Sequence, residues 1–228
     1  TPTDPMRAAL LSFACLAAQR GTAPYAVARL EPSWTRGEVL VDEAWAPPGV
    51  PLDPLQFPLD EVLFTHLLAQ GRGLLLHACG VVLDGRGVVF AGHSGDGKTT
   101  TARLWDGRTG ARVVSDDRVV LAPDGGGFRM CGTPWHGEGR WAEPESAPVS
   151  AIFLLEKAPE PGLVPIGPAE AAAGLLARSF VPFHPAASLD WSLGFLARLV
   201  ESVPCHVLRF RPDESAADFV ERWLEGRT

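Results

Sequence analysis

One eight-residue segment limits what this chain can fold into more than any other feature. It follows the pattern G-x-x-x-x-G-K-[ST], with its two glycines at Gly92 and Gly97 and then Lys98 and Thr99. Glycines let backbone amides converge on phosphate oxygens, while the lysine neutralises the β- and γ-phosphates and the threonine hydroxyl ligates Mg²⁺. We therefore expect a phosphate-binding loop that holds ATP with Mg²⁺. The predicted nucleotide-binding residues are Gly92, His93, Ser94, Gly95, Asp96, Gly97, Lys98, Thr99 and Thr100.

This pattern has a function only where a strand leads into it and a helix follows it. Val88–Ala91 is a β-rich run, and it is preceded by a tight turn and by further β-rich runs between residues 74 and 83. Thr99–Trp105 has the composition and spacing of a helix. The flanking residues therefore predict the structural context that the loop requires.

A pair of acids, Asp116 and Asp117, directly follows a short predicted strand, Ala111–Ser115. Two carboxylates at the end of a strand suit a Mg²⁺ ligand and a general base. The alternative is a solvated turn capped by two acids. A phosphate-binding loop needs a metal partner, and this favours the functional interpretation.

The rest of the chain predicts an α/β protein. An amphipathic helix is expected from Asp4-Pro5 to about Ala17 and is closed by Gly21, and extended segments follow within residues 24–46. Further helices are predicted at about 60–70, 168–179, 188–202 and 213–224, with strands at 149–155 and 206–210. We expect residues 1–58 to pack on a catalytic core formed by residues 59–228, giving one compact unit.

The composition excludes several classes of function. A formal charge of −7 and a pI near 5.4 argue against a broad surface for nucleic acid. No apolar run approaches the roughly 18 residues that span a bilayer, so we expect no membrane segment and a cytoplasmic location. The four cysteines show no spacing typical of a zinc site.

Three stretches in the same order resemble the C-terminal catalytic domain of bacterial HPr serine kinase/phosphorylase. They are Leu76-His77-Ala78, the phosphate-binding loop with the strand before it, and residues 110–119 with the two acids. The chain also looks like the wider fold shared with phosphoenolpyruvate carboxykinases. The resemblance implies a mixed β-sheet with a P-loop, carrying the Walker A pattern, and flanking helices.

Roles for individual residues follow from this resemblance. It implies catalytic roles for Lys98 and His77, with Asp116 as the general base and Asp117 on the metal, although the two acids could exchange roles. It also implies Thr99 and Glu138 as metal ligands. Arg118 and Arg140 are weaker candidates for contacts with phosphate or substrate.

The predicted activity is an ATP- and Mg²⁺-dependent kinase acting on a hydroxyl, with a serine of a small protein or peptide as the acceptor. Related small kinases modify ribosomally made precursor peptides. A kinase for a small metabolite such as free serine, or a nucleotide-binding regulatory module without catalysis, remains an alternative. The resembling family forms rings, so a homo-oligomer is one alternative, although the sequence leaves the oligomeric state open.

One residue departs from expectation. Asp96 places an acid inside the loop, where it would repel phosphate unless its side chain points to solvent, a substrate cation or the metal.

Overall fold

The computed structural model describes residues 11–16, 23–45, 49 and 53–226. The chain divides into two compact units, Thr1–Leu67 and Leu68–Thr228. The division falls at the end of helix α1 (Leu59–Leu68), whereas the sequence placed a boundary before this helix and expected one compact unit. Among the described residues, no helix is long and apolar enough to cross a membrane.

The first unit contains a three-stranded antiparallel sheet, and it corrects one prediction. Its strands are β1 (Leu11–Leu16), β2 (Pro24–Leu30) and β3 (Gly37–Val41), followed by a 3₁₀ turn at Glu43–Trp45 and by α1. The predicted N-terminal helix is wrong over residues 11–16, because these residues pair with β2 as a strand. Burial alternates along β1, with a period of two that the helical interpretation overlooked. The rest of that predicted helix lies outside the described residues.

The second unit is built on a nine-stranded mixed sheet, which confirms the α/β prediction. Its strands run in the order β10-β12-β9-β5-β4-β7-β8, and both β6 and β11 pair with β4. The strands are β4 (Leu74–Leu83), β5 (Arg86–Ala91), β6 (Ala111–Ser115), β7 (Arg118–Asp124), β8 (Gly127–Gly132), β9 (Ser146–Lys157), β10 (Gly162–Pro165), β11 (Ser179–Phe180) and β12 (Cys205–Phe210). The helices are α2 (Lys98–Trp105), α3 (Pro168–Leu176), α4 (Ala186–Ser202) and α5 (Ser215–Glu225).

Apolar clusters cover both faces of the central strands. In β5, Val88 and Phe90 pack in the cluster that contains α2 and α5, whereas Val89 and Ala91 pack in the cluster that contains α3 and α4. Successive side chains of a strand point to opposite faces, so a strand buried on both sides needs a continuous apolar run. This is why the sequence predicted extended structure over both β4 and β5, although it divided β4 into two runs, Leu74–Cys79 and Val81–Leu83.

Three connections position the candidate site. The antiparallel hairpin of β4 and β5 ends in the glycine loop (Gly92–Gly97), which leads into α2. Strand β7 pairs with β4, which places Arg118 opposite His77. Strands β8 and β9 also pair, with Cys131 opposite Ser146, so residues 133–145 leave and rejoin the sheet at neighbouring points. The sequence missed β10 and β11, and it extended α3 to about residue 179, the first residue of the short strand β11.

Candidate functional site

The glycine loop has a backbone conformation that its glycines make possible. Gly95 and Gly97 have φ angles of +87° and +107°, in the left-handed region that favours glycine. A Cβ on Gly97 would lie 2.7 Å from the ring of Phe210, so the backbone also needs the space. Gly97 is the N-cap of α2, and no side chain caps the helix there. The first amides of a helix have no partner within it, so those at the start of α2 can donate to an acceptor outside the helix.

Lys98 is a buried cation wrapped by this loop. Its side chain Nζ donates to the carbonyl oxygens of Gly92 (3.0 Å) and His93 (2.9 Å), and the residue is 7% exposed. Burial lowers the pKa of Lys98, while the carboxylates of Asp117 and Asp96 oppose this shift. The loop therefore holds a positive charge that is poorly hydrated and suited to an anionic partner.

Asp116 lies in a cradle of hydrogen-bond donors. The amide of Gly137 donates to Oδ1 (2.8 Å), and the amide of Gly139 donates to Oδ2 (2.8 Å). The Thr99 hydroxyl also donates to Oδ2 (3.2 Å), and Asp116 is 1% exposed. A Cβ on Gly139 would overlap the ring of Trp141 and approach Asp116 Oδ2 to 2.9 Å. Both Asp116 oxygens are thus engaged, and one of them fixes the Thr99 hydroxyl.

Asp117 occupies a more open position beside it. Its Oδ1 lies 3.3 Å from His77 Nε2, and its Oδ2 accepts a hydrogen bond from Arg118 Nε at 3.1 Å. The hydrogen bond from His77, with the charges of Arg118 and Lys98, holds the pKa of Asp117 below its usual range, and partial burial opposes this shift. The Asp117 side chain is 25% exposed. This acid therefore remains ionised and accessible from the cleft.

His77 connects these parts through its backbone as well as its ring. Its amide donates to the Arg178 carbonyl (2.7 Å), and its own carbonyl accepts from the Gly92 amide (3.3 Å).

The guanidinium of Arg118 lies over the rings of Phe180 (4.5 Å) and Trp135 (5.4 Å). Arg118 is thus packed against aromatic rings and directed at Asp117.

These groups meet in a cleft with a volume of about 420 Å³. Both lysines of the chain, Lys98 and Lys157, line it. The lining residues are His77, Ser94, Gly95, Gly97, Lys98, Thr99, Thr100, Asp116, Asp117, Gly137, Glu138 and Lys157.

Several predicted site residues are placed less centrally. Among the predicted nucleotide-binding residues, Gly92, His93 and Asp96 do not line the cleft. Glu138 lines the cleft but is exposed, and neither Arg118 nor Arg140 lines it. Arg140 lies in an exposed turn, with a φ angle of +62°. Within the described ranges, no three His, Cys, Asp or Glu side chains form a group that could hold a metal ion.

Sequence reasoning missed several residues at the site. The amides of Gly137 and Gly139 donate to Asp116, and this contact was not foreseen. Lys157 could have been found, because a chain with only two lysines makes each of them conspicuous. Arg178 approaches the glycine loop through a long-range contact, for which the sequence holds no signal.

A family model described as SynChlorMet cassette protein ScmC matches residues 59–213. The chain belongs to the ScmC family. In this ScmC family member, the matched part begins with α1 and includes the glycine loop, both acids and the Gly137–Gly139 segment. The Hpr(Ser) kinase/phosphatase from Coxiella burnetii is similar over 54% of this chain and 90% of its own, with 18% identity and a TM-score of 0.29. No curated protein matches the chain.

Proposed function

We propose that this ScmC family member is an ATP- and Mg²⁺-dependent kinase that transfers the γ-phosphoryl group to a hydroxyl. The observation that carries the proposal is that the glycine loop, buried Lys98 and the two adjacent acids open into one cleft. We take the glycine loop to be a P-loop within an HPr kinase-like fold. The choice of a serine in a small protein or peptide as acceptor rests on the resemblance to HPr kinase.

The oxygen donors in the cleft fit Mg²⁺, which prefers carboxylate and hydroxyl oxygens together with phosphate. Thr99 would hold the ion from the loop side, and Asp116 would hold it or orient the Thr99 hydroxyl. Glu138, at the exposed rim, is a further candidate ligand. When bound, Mg²⁺ would offset the charge of the phosphate oxygens.

The two acids are best assigned by their surroundings. The resemblance implies Asp116 as the base but leaves an exchange of roles open, and the geometry favours the exchange. Both acids have partners on both oxygens, but Asp116 is buried, whereas Asp117 is 25% exposed to the cleft and lies beside His77. We therefore propose Asp117 as the general base, oriented by His77, and Asp116 as the acid on the metal side.

In the proposed reaction, Asp117 accepts the proton of the acceptor hydroxyl, and the oxygen of that hydroxyl forms a bond to the γ-phosphorus. The bond from that phosphorus to the β,γ-bridging oxygen breaks, and ADP leaves with the electron pair. Lys98 offsets the charge that develops on the β- and γ-phosphates. A carboxylate with a lowered pKa is a weak base, which suits a loose transition state in which the acceptor needs little activation.

The two lysines allow a direct test of nucleotide binding. An acyl-phosphate derivative of ATP transfers its acyl group to lysines near bound phosphates, and mass spectrometry locates the modified residue. We expect labelling of Lys98 or Lys157 that excess ATP prevents. Lys98→Met should weaken ATP binding, whereas Arg103→Met, which removes an exposed cation from the same helix, should not. Labelling that ATP does not reduce would contradict the proposal.

A second experiment tests transfer itself. The protein is incubated with γ-labelled ATP, Mg²⁺ and candidate serine-containing peptides or free serine, and the product is identified by mass spectrometry. Nucleotide binding without transfer to any hydroxyl would favour a regulatory module instead.

A further inference from the structure

An acidic residue lies inside the glycine loop, between Gly95 and Gly97. The Oδ2 atom of Asp96 accepts a hydrogen bond of 2.6 Å from the His93 amide. A carboxylate in this position opposes the approach of another anion, because like charges a few ångströms apart repel strongly where little water screens them. A loop that binds a triphosphate therefore needs a group that offsets this charge.

Arg178 supplies a positive charge next to Asp96. Its Nη2 lies 3.9 Å from Asp96 Oδ2, and its side chain is only 14% exposed. Within the described part of the chain, Asp96 is the one carboxylate at ion-pair distance from Arg178. The Nη1 atom donates to the Gly174 carbonyl (2.8 Å), and the buried Nε has no hydrogen-bond partner among the described residues. Because Arg178 is largely shielded from water, solvent and salt screen its charge less than that of a surface arginine.

The fold fixes Arg178 beside the loop. Its carbonyl accepts the amide of His77, directly before β11 pairs with β4. The His77 carbonyl in turn accepts the amide of Gly92, the first residue of the glycine loop. Two backbone hydrogen bonds thus connect Arg178 to the loop, although its side chain does not line the cleft. Arg178 is therefore placed to act on Asp96 rather than to touch a nucleotide.

We infer that Arg178 is a positioning residue whose charge neutralises Asp96 and so allows the glycine loop to accept the phosphates of a nucleotide. This inference rests on the proposed function, and it explains how an acidic residue is tolerated in such a loop. Lys98 responds to both members of the pair, because Asp96 raises the pKa of its ammonium group and Arg178 lowers it. The charges of Asp96 and Arg178 therefore both reach Lys98, and they have opposite effects on its pKa.

A double-mutant cycle with a fluorescent ATP analogue tests the inference. Arg178→Gln should weaken binding about tenfold, a common size for the coupling between two charged sites. Asp96→Asn should tighten binding about threefold, because it removes the repulsion. The double variant should return to within about threefold of the unaltered protein. Arg178→Lys keeps the charge and should retain most of the affinity.

The cycle separates this electrostatic role from a structural one. The hydrogen bond to Gly174 is lost in Arg178→Gln and also in the double variant, so a purely structural role predicts equally weak binding by both. That result, or weaker binding by Asp96→Asn, would overturn the inference. Arg129→Gln breaks an ion pair with Asp124 outside the cleft and should leave binding unchanged. If the unaltered protein does not bind the analogue, the proposed function fails and the inference fails with it.

Discussion

Replacing Asp116 with asparagine should destabilise the protein, although the two side chains have nearly the same shape. Asp116 accepts hydrogen bonds from the amides of Gly137 and Gly139 and from the Thr99 hydroxyl, and all three partners are donors. A carboxylate offers only acceptors, whereas asparagine offers one oxygen and one NH₂ group. No orientation of asparagine can satisfy all three donors.

The best orientation of the new side chain sets the size of the effect. Its oxygen would replace Oδ2 and keep the bonds from Thr99 and Gly139, while its NH₂ group would face the amide of Gly137. One bond to a charged acceptor is then lost, and two buried donors oppose each other. Such a bond contributes roughly 1.5–3 kcal/mol, and a buried group without a partner costs about 1–3 kcal/mol. Because the structure relaxes in part around the new side chain, we expect the free energy of unfolding to fall by about 2–4 kcal/mol.

Urea unfolding followed by far-ultraviolet circular dichroism measures this loss, and a constant m value confirms that the unfolded states are comparable. Asp117→Asn is the matched control, because the neighbouring acid is 25% exposed and water can replace its partners. We expect it to lose about 1 kcal/mol or less. If Asp116→Asn lies within about 0.5 kcal/mol of the unaltered protein, or if Asp117→Asn costs more, the reasoning about the donor cradle is wrong.

Three further predictions follow from the site. Gly139→Ala should lower the free energy of unfolding, measured in urea, by about 1–3 kcal/mol, because the new methyl group overpacks against Trp141. Gly162→Ala is the control and should leave this free energy unchanged, because a Cβ there would meet nothing within 4 Å. Transfer of labelled phosphate should stop in EDTA and return with Mg²⁺ or Mn²⁺; full activity in chelator would refute the metal requirement. Since the pKa of Asp117 is lowered in the folded protein, its contribution to stability is present above about pH 4 and is lost as the pH falls through the folded pKa. When the free energy of unfolding is measured at decreasing pH, it should therefore fall less steeply for Asp117→Asn than for the unaltered protein.

The second unit was more predictable from the sequence than the first because its signals are local. Strands β4 and β5 are buried on both faces and are continuous apolar runs, and the glycine pattern itself marks where β5 must end. Strand β1 was misread because its apolar residues fit both a helical and an alternating period. Pairing with β2 selects the strand.

The candidate site was predictable only in its local parts. The sequence identified both acids but could not separate their roles, because the cradle of Asp116 comes from Gly137 and Gly139 in a distant loop. The charge that offsets Asp96 comes from Arg178, which a short strand brings beside the glycine loop. These contacts depend on tertiary structure, on which the patterns of local sequence carry no information.

The pairing of β8 with β9 has a consequence for how related chains could diverge. Residues 133–145 begin and end at adjacent points of the sheet, so a change in the length of this segment costs little in chain entropy. Both parts of the segment are nevertheless tied to the core. Gly137 and Gly139 donate to Asp116, and the Glu143 amide donates to the Val114 carbonyl next to a bridge between Ala142 and Ser115. We therefore expect insertions and deletions among homologues to fall between these two anchors, beside an invariant pair of glycines. An alignment of family members would test this expectation.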